Sequence, residues 1–194
     1  MGYFQNINHK VLVLMIGICT FAVTSHAFSS HAIKAKTGMN GQNEIISVWF
    51  STDSETGHSK IQGKVGLNSS ISTDLTSPSI VHAINPKLAV ASASTDTQAA
   101  AAWLAFEHST EVQTIQATVA TQAGWNGSAT VHNLSLTNGT EIPKNVEKVI
   151  ISSDGYAITV LWSSYMPHLH DTVIRAATSN DGGRHWIHPI NVSE

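Results

Sequence analysis

Three tryptophans stand at one fixed distance from three isoleucines, and this spacing constrains the fold more than any other feature of the chain. The segments are Ile45-Ile46-Ser47-Val48-Trp49-Phe50, Ala99-Ala100-Ala101-Ala102-Trp103-Leu104 and Ala157-Ile158-Thr159-Val160-Leu161-Trp162. In each, a Trp closes a run of small or β-branched residues, and 12 residues later comes Ile61, Ile115 or Ile174. Each isoleucine opens another strand-like run: Ile61-Gln62-Gly63-Lys64-Val65, Ile115-Gln116-Ala117-Thr118-Val119, Ile174-Arg175-Ala176-Ala177-Thr178. Each copy ends on a polar, an apolar and a hydroxyl residue: Asp74-Leu75-Thr76, Asn133-Leu134-Ser135, Asn191-Val192-Ser193. Turn signals precede each Trp strand, at Asn40-Gly41, Thr95-Asp96-Thr97 and Asp154-Gly155. Before them comes a further alternating strand, clear at Lys87 to Val90 and Val146 to Ile151, weaker at Ala32 to Lys36. The intervals between tryptophans are 54 and 59 residues. Four short strands repeating at about 50 residues is the period of a propeller blade.

The repeat predicts an all-β fold of three four-stranded antiparallel propeller-type blades, at about 31–80, 81–140 and 141–194. Such an array is a partial propeller, or one completed by oligomerisation. Each Trp and Ile reads as the core of a small sheet whose inner face packs on the next unit. The alanines from Ala99 to Ala102 suit a middle strand squeezed between neighbours, where small side chains let sheets approach. Composition agrees, since only 12% of residues are charged, and long helices need Glu, Lys and Arg on their surfaces. Hydroxyl-rich, β-branched runs punctuated by Gly and Asn read as strands and turns.

The amino terminus carries an export signal. Lys10 precedes an apolar run from Val11 to Val23, broken only by Gly17 and Thr20 and followed by Ser25-His26-Ala27. That run falls short of the roughly 20 residues that span a bilayer. A cation, a short apolar stretch and a small-x-small exit describe a signal peptide over 1–27, leaving 28–194 as the repeat domain. Cleavage removes Cys19, the one cysteine, and with it any disulfide or thiolate site. The expected location is secreted, periplasmic or at the cell surface, with no membrane attachment after cleavage. Asp plus Glu total 13 against 10 Lys plus Arg. A net negative chain lacks the clustered cations that nucleic acid requires.

The third copy adds Ser179-Asn180-Asp181-Gly182-Gly183-Arg184-His185-Trp186, which matches Ser-x-Asp-x-Gly-x-x-Trp. The chain thereby resembles the Asp-box (bacterial neuraminidase repeat, sialidase-like) β-propellers, in a degenerate bacterial secreted form. The motif makes sense as hairpin chemistry: Asp181 accepts hydrogen bonds from the turn backbone, Gly183 supplies a positive φ, and Trp186 folds back over the hairpin. Copy two keeps Gly124 and Trp125, and copy one has lost the box. The resemblance implies a structural, peripheral role for Ser179, Asp181, Gly183 and Trp186, and speaks for fold rather than activity.

It also raises a sialidase reading, in which three arginines grip the substrate carboxylate beside a Tyr–Glu pair and an Asp acid/base. Guanidinium forks suit that task, but this chain has two arginines, Arg175 and Arg184. A two-carboxylate glycosidase has acids available, yet Asp53, Glu55, Glu107, Glu111 and Asp171 fall in the Trp-to-Ile hairpin loops and read as solvated. No nucleophile elbow or phosphate loop is present. His168-Leu169-His170-Asp171 offers alternating imidazoles, with no third metal ligand. The sequence therefore assigns no catalytic residue, no metal and no cofactor. It points to a non-catalytic module binding a glycan or a protein, with the loop around Tyr165, His168 and His170 as contact surface. A degenerate sialidase-like glycoside hydrolase is the alternative. Three blades cannot ring an axis, so pairing of two chains into a six-bladed ring is a further expectation.

Overall fold

The computed structural model describes residues 35–66, 72–107, 112–134 and 141–193. The expected signal peptide, the Ala32 end of the expected first strand, and Glu111 lie outside the described residues. The described chain is all-β, and its strands fall into three antiparallel groups of propeller-blade type. The first holds β1 (Lys36–Met39), β2 (Ile45–Thr52), β3 (Ser59–Val65) and β4 (Thr73–Asp74). The second holds β5 (Ile80–Val90), β6 (Ala99–Glu107), β7 (Gln113–Thr121), β8 (Gly124–Trp125) and β9 (Ala129–Leu134). The third holds β10 (Ile142–Ile151), β11 (Ile158–Met166), β12 (Asp171–Ser179) and β13 (Ile190–Asn191). Two details depart from three plain four-stranded sheets. A single parallel bridge, Ser59 to His82, joins the first two blades into one sheet. The turn at Gly124-Trp125 in copy two pairs Ala120 with Trp125 as an extra short strand, so β7 carries both β8 and β9.

The register places the three tryptophans at one position. Trp49 lies opposite Gln62, Trp103 opposite Gln116, and Trp162 opposite Arg175. Proline sits in the first strands of blades two and three only at irregularities: Pro86 within the shift between Ile84 and Lys87, Pro143 beside the shift before Asn145. A residue without an N–H fits where the ladder is already interrupted.

Packing follows from strand alternation. Along β6, Ala99, Ala101, Trp103 and Ala105 face the first blade, where they meet Ile46, Val48, Ile61 and Leu75. The alternate residues, Ala100, Ala102 and Leu104, face the third blade and meet Val146, Val160 and Trp162. Alanine is a weak strand former, but a strand covered on both faces has no room for branched side chains, and these five alanines are fully buried. The expectation that each Trp packs on the next unit is corrected here. Trp103 packs on the first blade and Trp162 on the second, so each faces the blade before it. The alternate residues of the same strand occupy the other face. Trp49 consequently has no blade in front of it among the described residues and is half-buried.

The turns between first and second strands lock the stack at one end. Asn40 Oδ1 accepts the amides of Gln42 and Glu44 at 3.0 and 2.8 Å. Gln98 Nε2 donates to Gln42 Oε1 at 2.8 Å, and the Ala93 amide donates to the Ser153 carbonyl at 2.9 Å, so the second blade's turn grips both neighbours. Gly155 is required there: its φ is +80°, and a Cβ would lie 2.2 Å from the Thr97 carbonyl oxygen.

Candidate functional site

The opposite end gathers the hairpins between second and third strands and the starts of β5 and β10. In the first blade, Asp53 caps its own hairpin, its Oδ1 accepting the amides of Glu55 and Thr56 at 2.9 Å each. Those amides, Thr56 foremost, hold the Asp53 carboxyl below its ordinary value, so this acid serves the turn. His58 and His82 meet edge to face with ring centroids 6.2 Å apart, close to the bridge that joins the blades.

In the third blade, residues 167–170 form a tight turn closed by Leu169 N–H to Met166 O at 3.0 Å, with His170 at φ 52°. The two imidazoles therefore sit on a turn. His168, Leu169 and His170 are exposed. Tyr165 lies inside β11, opposite Thr172, and is half-buried with the Lys144 ammonium 5.5 Å from its ring centre. The turn thus brings His168 and His170 to the tip, while Tyr165 stands on the strand below them. Asp171 begins β12 opposite Met166 and accepts the Thr172 amide at 2.7 Å. Among the described residues no three His, Cys, Asp or Glu side chains group at metal-binding range.

The Ser179 to Trp186 segment builds a self-contained turn. Asp181 Oδ1 accepts the amides of Arg184 and His185 at 3.0 and 2.9 Å and the Ser179 hydroxyl at 2.8 Å. Ser179 Oγ accepts the Gly183 amide at 2.9 Å, and Gly183 has φ +88°. The His185 amide leads the contacts that hold the Asp181 carboxyl far below its usual range. Trp186 leans on the core between the second and third blades. A cleft of about 160 Å³ separates this turn from the second blade, lined by Asp96, Thr118, Asn126, Gly183, Arg184 and Trp186. It lies at the end away from the imidazoles.

One polar group escaped the sequence reading. Glu141, just before β10, is buried with its Oε2 3.5 Å from Arg175 Nη2 and 3.8 Å from His132 Nε2. The His132 ring lies 5.5 Å from that of Trp162, and Arg175 Nη1 donates to Asn191 Oδ1 at 2.7 Å. Burial opposes ionisation of Glu141, but His132, Ser164 and Arg175 together outweigh it and hold the carboxyl below its ordinary value. The signal lies in the repeat. Trp49 and Trp103 donate their indole N–H to Gln62 and Gln116, each at 3.2 Å. In copy three the corresponding residue is Arg175, which cannot accept, and Trp162 Nε1 has no hydrogen-bond partner among the described residues. A charge breaking an otherwise neutral pattern marks the place.

No family model matches the chain and no curated protein matches it. Solved structures do. The α-L-arabinofuranosidase Arb93A of Fusarium graminearum, in complex with an iminosugar inhibitor, superposes with a TM-score of 0.51 at 9% identity, over 82% of this chain and 48% of that one. The α-L-arabinanase of Penicillium chrysogenum, complexed with arabinobiose, gives 0.50 at 9% identity, over 84% and 49%. A second F. graminearum structure, of the GH93 α-L-arabinofuranosidase with arabinobiose, gives 0.50 at 7% identity, over 84% and 48%. The chain spans about half the length of these β-propeller glycoside hydrolases. At such identities the likeness concerns the fold, and it places the chain among propeller-type all-β proteins.

Proposed function

We propose that the chain is an exported, non-catalytic propeller module that binds glycan through its hairpin end. The observation that carries this reading is the placement of rings there. Tyr165, His168, His170, His58 and His82 stand on the hairpins, and on the strand ends beside them, at one end of the stack. Rings with a polar edge stack on sugar faces and hydrogen-bond their hydroxyls, and loops on a fixed scaffold are where binding residues concentrate. The structural neighbours act on or hold arabinose-containing ligands by name, which makes arabinobiose a natural first probe. Asp-box character of the Ser179 to Trp186 turn belongs to the same reading, as a structural device outside the binding end. Glycan-array retention and titration with arabino-oligosaccharides test it. Binding that Tyr165→Ala and the pair His168→Ala/His170→Ala each weaken at least tenfold supports the proposal, and an array with no retained glycan removes it.

A second reading, a degenerate glycoside hydrolase, is favoured by one observation: Glu141 is a buried carboxylate at this same end. Its pairing with Arg175 and His132 suits an ionised group rather than a proton donor. Hydrolysis of an aryl α-L-arabinofuranoside that disappears in Glu141→Gln would establish this alternative.

A further inference from the structure

The direction in which the tryptophans point makes the two ends of the stack complementary. Twice within the chain one joint recurs, in which the Trp strand of a blade covers the alternate-phase face of the blade before it. Trp103 covers Ile46, Val48, Ile61 and Leu75, and Trp162 covers Ala100, Ala102, Ile115 and Ala117. Trp49 begins such a joint, in the same register and with the same indole bond to its glutamine. Its face is covered by no blade among the described residues.

The receiving half of the joint stands open on the third blade. Ile158, Val160, Trp162 and Ala177 face the second blade, so the alternate set faces away from it. Leu161 is paired with Ala176, Ser163 with Ile174, Ile150 with Thr159, and Ile190 with Ala176. Position by position, Leu161, Ile174 and Val192 repeat Val48, Ile61 and Leu75. The amides of Leu75 and Val192 donate to the carbonyls of Ile61 and Ile174, both at 2.8 Å. Ile150, Ile190 and Val192 are 46%, 64% and 53% exposed. Apolar side chains in such a contiguous set mark an interaction surface.

We propose that a second copy of this chain covers both faces. Trp49 of each copy would seat on Leu161, Ile174 and Val192 of the other, and the two joints would be related by a two-fold axis. The chain carries both halves of the joint, one at each end of its stack. It also spans about half the length of the propellers it superposes on, with 48–49% of those chains covered. Two copies therefore supply the length of one such propeller, and closure leaves no blade face bare. Differences within the joint give it a signature. Where the second blade buries Thr114 and Thr118, the first has Lys60 and Lys64, and Lys60 is held by Asp74 at 3.4 Å. The receiving face has Glu147, bonded by Ser163 Oγ at 2.6 Å. Lys148, opposite Leu161, stands beside Glu147 on that face, so the lysines of the first blade meet a rim of both signs and the apolar residues carry the pairing. The inference rests on the packing and on that match of length, and stands whether or not the module binds glycan.

Sedimentation equilibrium of the purified protein, over a micromolar concentration series, tests it. Pairing gives a mass converging on twice that of one chain. Trp49→Glu and Leu161→Glu each breaks both joints of a homodimer, so each variant alone sediments as a single chain with the circular dichroism of the parent. Mixed, the two variants recover a dimer, because one joint of the mixed pair is built from the two unaltered faces. A parent protein that stays at single-chain mass overturns the proposal, as do open-ended growth beyond the dimer, a dimer indifferent to both changes, and a mixture that fails to recover it.

Discussion

The pairing of each tryptophan with the residue opposite it carries much of the repeat's chemistry. A buried indole N–H needs an acceptor, and Gln62 and Gln116 supply it from the adjacent strand. Arg175 gives up that bond and compensates a buried carboxylate instead. Arg175→Gln returns an acceptor to Trp162, worth about 1 kcal/mol, but takes from buried Glu141 one of its two cationic partners, leaving His132, at a cost of about 3–5 kcal/mol. The expected outcome is a net loss of about 2–4 kcal/mol in urea unfolding, most of it recovered when Glu141→Gln is added. Acid sensitivity follows from the same residues. Glu141, Asp53, Asp154 and Asp181 all have folded values below their ordinary ones. Groups depressed on folding contribute stability that is complete above the unfolded carboxylate range and is lost as pH falls through the folded values. The urea midpoint is therefore flat from neutral pH down to about 5 and declines below about 4. Glu141→Gln makes that decline shallower. A midpoint that rises on acidification contradicts the assignment.

At the scale of elements, alternation and turn geometry decide what the strands tolerate. Because β6 is covered on both faces, Ala102→Leu overpacks the junction with the third blade. A loss of about 1–3 kcal/mol is expected, against almost none for the same change at exposed Ala123. Gly155→Ala combines a disfavoured φ with a collision against the Thr97 carbonyl. It should cost about 2 kcal/mol or more, read as a lowered thermal midpoint. Strand existence and the shared position of the tryptophans were legible, because a fixed Trp-to-Ile spacing leaves one way to set two strands in register. The direction of packing was not. A period of two says which residues share a face, without saying which neighbour that face meets, and in β6 the alternation is hidden because both faces are lined by alanine. The Glu141 group was hidden for another reason: His132, Glu141 and Arg175 belong to three separate segments, and only the exchange of Gln for Arg in copy three betrayed it. The Ser179 to Trp186 turn was readable in detail, since its bonds are local and each residue type has one task there.

For the whole molecule, stacking separates the residues that carry stability from the end proposed to bind glycan. The turns at Gln42, Gln98 and Ser153 fasten one end, and the sheets interdigitate through two apolar layers between blades. The hairpins at the other end are then free to vary without disturbing either. The same division explains why fold was more readable than function. Packing residues recur three times over, whereas the rings at the hairpin end occur once each, on hairpins of one length whose residues differ from copy to copy. The central claim is that ligand is met at that end and nowhere else. Nuclear magnetic resonance titration of the labelled protein with arabinobiose, and then with the best ligand of a glycan array, addresses it directly. The expected result is a saturable set of shifts confined to the amides around His58, His82, Lys144, Tyr165, His168 and His170. Saturable shifts centred instead on Asp96, Asn126 and Arg184, beside the Asp181 turn, would contradict it, as would no shift with any ligand.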